Sequence, residues 1–208
     1  AGQESPRPLL DFALNAEAAY DPSAITITRA DITWQQATAH LDGRVGLGQS
    51  QQIALNISSD NLSLQSMLEA MNQAGVPASG TLSVRGTVTG TTARPMAQFT
   101  AQGSDLVAYD ETIGTLNADI RLDGRELTVT ELIIDKPQPD QPGRLTATAT
   151  YNLDRSTYTF DLQSKGVRLV SLLLPNGQRV RGDVQTLSAK GTGSVSSPEG
   201  TVDLAVDA

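Results

Sequence analysis

The sequence predicts an all-β protein, a continuous, mostly antiparallel and elongated sheet. Three observations predict it. Apolar and polar residues alternate with period two through most of the chain, Gly-containing turn pairs separate the alternating runs, and helical patterning is confined to one short stretch. Successive strand side chains point to opposite faces, so each such run has one wet and one dry side.

The first runs are Leu10/Phe12/Leu14 and Ile25/Ile27, followed by Leu41-Asp42-Gly43, which reads as a turn. Ile53/Leu55/Ile57 is the next strand. Leu64-Gln65-Ser66-Met67-Leu68-Glu69-Ala70-Met71 is the one helix candidate, with Asn61 or Ser63 as its cap and Gly75-Val76-Pro77 as its stop. It would plug an edge or an end of the sheet. Leu82/Val84 resumes the strand pattern. In residues 115–123, Leu116, Ala118, Ile120 and Leu122 share one face, and Asn117, Asp119, Arg121 and Asp123 the other. Asp123-Gly124-Arg125 should turn this run onto residues 127–134, because Asp-Gly supplies the positive φ that tight hairpins require. Pro137-Gln138-Pro139-Asp140-Gln141-Pro142 joins that strand to the next. There, Leu145, Ala147, Ala149, Tyr151 and Leu153 oppose Thr146, Thr148, Thr150 and Asn152. Asp154-Arg155-Ser156 should pair it with residues 157–163, where Tyr158, Phe160 and Leu162 alternate. Pro175-Asn176-Gly177 is a further turn, and Val202/Leu204/Val206 the last run.

Composition narrows the class. Of 208 residues, 38% are apolar but only 4% aromatic, so any dry face is mostly Leu, Val, Ile and Ala. A formal charge of -8 with 15 scattered basic residues argues against nucleic acid and anionic membrane surfaces as partners. The absence of Cys excludes disulfides, thiolate chemistry and Cys-ligated zinc without fixing the compartment. The longest apolar run, Leu169-Val170-Ser171-Leu172-Leu173-Leu174, is far short of the ~20 residues that span a bilayer. No signal peptide is visible and the first residue is Ala1, which suggests excision from a longer chain.

An internal repeat organises the chain. Residues 25–32 resemble residues 127–134 at an offset of 102, and Gly43-Arg44-Val45 matches Gly143-Arg144-Leu145 at 100. Leu62-Ser63-Leu64 answers Val167-Arg168-Leu169 at 105, each before an apolar cluster. Gly80 answers Gly182 at 102, and the Gly90-x4-Pro95 connection answers Gly193-x4-Pro198 at 103. Markers in one order at one spacing indicate a duplicated unit of roughly 100 residues with a short helix or apolar turn in each. Residues 1–78 would end one unit, 79–180 form a second and 181–208 begin a third, in one continuous sheet. Tandem β-sandwiches are the alternative, since short strands at regular spacing suit them too.

The order Gly80-x5-Gly86-x3-Gly90-x4-Pro95, then Leu106-Val107-Ala108-Tyr109 and the strands at 115–123 and 127–135, resembles the TamB and AsmA-like superfamily. Val180-Arg181-Gly182, Gly191-Thr192-Gly193 and Pro198-Glu199-Gly200-Thr201-Val202 repeat part of that order. The resemblance covers the chain from about Ile25 onward. It implies a middle stretch of a long bacterial envelope protein, anchored in the inner membrane by an N-terminal helix absent here and crossing the periplasm. It further implies a curled sheet, a β-taco or gutter with an apolar inside, that moves phospholipid toward the outer membrane. Outer-membrane protein assembly with a barrel partner, contacted outside this segment, is implied as well. The partners here would be phospholipid acyl chains.

Leu116, Ile120, Leu122, Leu145, Ala147, Tyr158, Phe160 and Leu162 are the candidate groove lining. Each could equally be an ordinary core residue, because alternation identifies a dry face without saying what covers it. A structural or binding β-module with a closed core therefore stays open beside the lipid reading, as does an enzyme accessory domain. No catalytic site, metal or cofactor is expected. His40 is the only histidine, and such chemistry needs a constellation. Asp105, Asp110 and Glu111 lack the spacing of a calcium loop and read as surface turn acids. Gly86-Thr87-Val88-Thr89-Gly90 is no phosphate loop, and its glycines read as sites of bulging or curvature.

Overall fold

Alternation becomes strand almost everywhere in the computed structural model, which describes residues 12–34, 37–48, 51–70, 73, 75–139, 141–173, 177–194 and 197–207. Among them lie β1 (Phe12–Asp21), β2 (Ala24–Trp34), β3 (Ala37–Gly46), β4 (Ile53–Ser63), α1 (Leu64–Ala70), β5 (Ala78–Gly90) and β6 (Pro95–Ala108). Then follow β7 (Glu111–Asp123), β8 (Glu126–Lys136), β9 (Gly143–Asn152), β10 (Thr157–Leu173), β11 (Arg179–Ser194) and β12 (Ser197–Asp207). All twelve strands form one sheet in sequence order, every neighbour antiparallel. The sheet does not close, and β1 and β12 are its edges. The predicted all-β antiparallel class is therefore what the chain adopts, and one sheet replaces the tandem-sandwich alternative.

Both predicted hairpins form. Asp123 pairs with Glu126 across Gly124, whose φ of 59° sits in the left-handed region and whose N–H donates to Pro95 O at 2.8 Å. Asn152 pairs with Thr157 across the turn at 153–156. The helix begins where Ser63 Oγ accepts from Ser66 N at 3.3 Å, so Ser63 is the cap. Met71, Pro175 and Asn176 lie outside the described residues, as does Leu10.

Two local expectations need correction. Leu41-Asp42-Gly43 is not a turn: β3 runs straight through it, Gly43 opposing Ile27 on one side and Leu55 on the other. A Cβ at Gly43 would lie 2.1 Å from Ala54 O, so the glycine lets β4 approach and does not reverse the chain. The apolar cluster that follows Val167-Arg168-Leu169, where a short helix or apolar turn is expected, is strand at Leu172 and Leu173, because β10 continues through them. β11 escapes period-two reading because Gly182, Gly191 and Gly193 interrupt its alternation.

Curvature comes from bulges. Only β3–β4 and β9–β10 pair without a register shift; every other neighbouring pair has at least one. Each extra residue bends its strand and raises local twist. The repeat markers fall on strands six apart in the order: Ile25 on β2 and Leu127 on β8, Gly80 on β5 and Gly182 on β11. The accessible surface is 13972 Å² for a 21.9 kDa chain. A compact monomer of that mass would expose roughly 9,300 Å². The sheet is open.

Candidate functional site

Residues directly opposite across neighbouring strands share a face, so the register sorts side chains into rows. One row runs Leu55, Val88, Ala97, Leu122, Leu127, Tyr151, Tyr158 and Gly193. The next runs Ile57, Gly86, Phe99, Ile120, Val129, Ala149, Phe160 and Gly191. A third holds Ala101, Ala118, Leu132, Ala147, Leu162 and Ala189, and a fourth Gly103, Leu116, Ile134, Leu145, Ser164 and Leu187. All eight nominated residues lie in these four rows, on one face. They are half-buried except Phe160, which is 37% exposed. The opposite face presents Thr87, Gln98, Arg121, Thr128, Thr150, Thr159 and Thr192 in a comparable row, with Thr150 and Thr159 hydroxyls 2.6 Å apart.

The glycines of the apolar face make room for rings. A Cβ on Gly86 would lie 2.1 Å from the Phe99 ring, and one on Gly191 2.3 Å from the Phe160 ring. Both phenyl groups lie down over cross-strand glycine backbone instead of standing up into the trough. Gly86 serves this purpose and not the bulge expected for it, since the pairing from Leu55–Ser59 to Val84–Val88 is regular. Tyr158 stacks beside Phe160 with centroids 6.2 Å apart.

The two lips of the trough differ. One carries the hairpin turns after β5, β7 and β9, where Arg94–Asp123 (3.0 Å) and Arg125–Asp154 (3.1 Å) pair in water. At the other lip β10 outruns β9: Arg144 faces Lys165, and beyond it Val167, Arg168, Leu169, Leu172 and Leu173 pair with β11 and not with β9. This extension is a strap that reaches back to the start of β7. Leu173 N donates to Tyr109 O at 2.7 Å, and Arg179 reaches Asp110 at 2.7 Å. Gln138, in the β8–β9 connection, donates to Gly166 O at 2.8 Å and accepts from Arg168 N.

Glu111 is the centre of that lip, and the expectation that it is a surface turn acid is wrong. It is 1% exposed. Its carboxylate accepts from Lys136 Nζ at 2.6 Å, from Val170 N at 3.0 Å and from Ser171 N at 2.6 Å. Lys136, 6% exposed, also donates to the Thr112 carbonyl. Burial pushes the Glu111 carboxyl up, but the hydrogen bonds from Lys136, Ser171 and Val170 outweigh it and hold the group below its ordinary value. Sequence reasoning missed Glu111 and Lys136 because the strap atoms they serve are 59 and 60 residues away from Glu111.

Beneath the strap lies a cavity of 270 Å³, walled by Ile113, Ile134, Leu145, Val167, Leu169, Leu172, Val184 and Leu187 with Gly143, Ser164 and the ion pair. It continues the fourth row of the trough.

Compared with known proteins, the chain matches no family model, no curated protein and no solved structure.

The other candidates are not brought together. His40 lies on the polar face of β3, its Nδ1 2.6 Å from Asp31 Oδ1. That hydrogen bond first, and Arg29 besides, hold the Asp31 carboxyl below its usual range against the effect of burial. Asp110 pairs with Arg179 and Glu111 with Lys136, so neither joins Asp105 around an ion. Among the described residues no group of His, Asp and Glu could hold a metal.

Proposed function

We propose that this chain is a stretch of a periplasm-spanning envelope protein of the TamB and AsmA-like kind. Its trough shields phospholipid acyl chains as they pass between inner and outer membranes. A barrel partner in outer-membrane assembly belongs to regions outside the chain. The observation that carries this reading is the apolar face, four rows deep, running across an open sheet on which the described residues lay no second sheet. The order of Gly and Pro markers along the sequence supports it independently.

The physics is additive. Each methylene kept from water is worth about 0.8 kcal/mol, so a chain of them gains much from a continuous dry lining. Passage along the trough is also eased by many similar weak positions in the rows. Rows of Leu, Ile, Val and Ala with aromatic rings laid flat provide that. The polar face stays wet.

Photocrosslinkers at Ile120 and Phe160 should capture phospholipid in cells. Capture of protein neighbours alone, while crosslinkers elsewhere in the full-length protein work, would overturn the proposal. Leu122→Lys should stop lipid passage while far-UV circular dichroism stays unchanged. Loss of folding in that variant would instead point to a closed core.

A further inference from the structure

The cavity under the strap fits one end of an amphiphile and excludes the other. Its polar neighbours are already occupied: Lys136 is held by Glu111 and the Thr112 carbonyl, and Glu111 by Lys136 and two strap N–H groups. Among the described residues lining it no cation is left to meet a phosphate or carboxylate, and burying an unpaired charge is prohibitive. An apolar cavity of about 150 Å³ already stays dry and binds small hydrocarbons. This one, at 270 Å³, is larger. It opens onto the trough through Ile134, Leu145 and Leu187, which belong to the row of Leu116. The opposite lip is exposed and charged, with Arg94 and Arg125 in water.

We propose that this cavity receives the terminal methyl end of a single acyl chain lying in the trough, with strap residues Val167, Leu169 and Leu172 as its roof. The inference rests on the trough reading and adds a direction to it: tail under the strap, headgroup toward the hairpin lip. At about 30 Å³ for each water-sized group the space takes several methylenes and no more than about nine. The site therefore acts on chain length, since a longer tail fills it and a short one leaves it empty.

The test is solution NMR of the chain with hexadecanoate labelled with ¹³C at its terminal methyl. Contacts from that methyl to Val167, Leu172 and Leu187 methyl groups are expected, and none to Val88 or Leu122. Calorimetry with fatty acids of different length adds a second readout. Val167→Trp should displace about two methylenes, weakening hexadecanoate about tenfold at about 0.8 kcal/mol each, and leave decanoate unchanged. If Val167→Trp does not fold by circular dichroism, Leu172→Phe should give the same shift in smaller measure. Binding with the methyl contacts at the Val88–Leu122 row, or a length profile indifferent to these variants, would overturn this inference and leave the trough standing. No binding of any fatty acid would overturn the trough reading itself.

Discussion

Glu111 and Lys136 show how much one pair of side chains decides at the lower lip. Removing one member of a buried pair leaves the other charge uncompensated, which typically costs about 3–5 kcal/mol. Lys136→Met should therefore destabilise the chain by about 3 kcal/mol in urea unfolding, and adding Glu111→Gln should recover part of that loss. The pH dependence has a definite sign. Because the folded-state pKa of Glu111 is lowered, its contribution is complete above the ordinary glutamate value of about 4.3 and fades as pH falls through the folded value. Lys136 on β8 is the charged group bonded to it, and Asp110, next to it in the chain, pairs with Arg179 at the start of β11. Amide exchange at Val170 and Ser171, corrected for intrinsic rates, should accelerate as the pH is taken down below the ordinary glutamate range and through the lowered Glu111 value, while the β7–β8 hairpin stays protected.

Adjacent strands are fitted to each other by size as well as by hydrogen bonds. β10 and β11 meet at Phe160 and Gly191, β5 and β6 at Gly86 and Phe99. A methyl group added at Gly191 would meet the ring at 2.3 Å and push it off the backbone into the trough. Gly191→Ala should cost about 1–3 kcal/mol, as overpacking does, and Phe160→Leu in the same chain should restore most of it. Thermal unfolding of the single and double variants checks this. A double variant no more stable than Gly191→Ala alone would place the strain elsewhere.

The whole molecule behaves as a surface more than as a core. Each strand touches mainly its neighbours in sequence, so stability is built from successive pairings as in other repeat architectures. With 13972 Å² still exposed, the chain buries roughly 56% of its extended-chain surface, against roughly 70% for a compact protein of this size. Its urea m-value should then be about one-fifth below that of a compact 208-residue protein, because m scales with the surface uncovered on unfolding. An m-value at the compact level would mean that the apolar face is covered in solution.

The sequence by itself determined the class, the hairpins and the dry face. Period-two alternation and Asp-Gly turns are local, and side chains in register must share a side, so Leu116, Ile120, Leu122, Leu145, Ala147, Tyr158, Phe160 and Leu162 were legible as one surface. Alternation says nothing about what lies over that surface, and an interrupting glycine reads alike whether it turns the chain, as at Gly124, or admits a strand, as at Gly43. Only the tertiary structure decided that the sheet stays open and that β10 runs on as a strap. It also turned Glu111 from an exposed acid into a buried anchor. The reason is distance along the chain: the partners of Glu111 on the strap are 59 and 60 residues away, and no local pattern can register a burial that such remote strands create together.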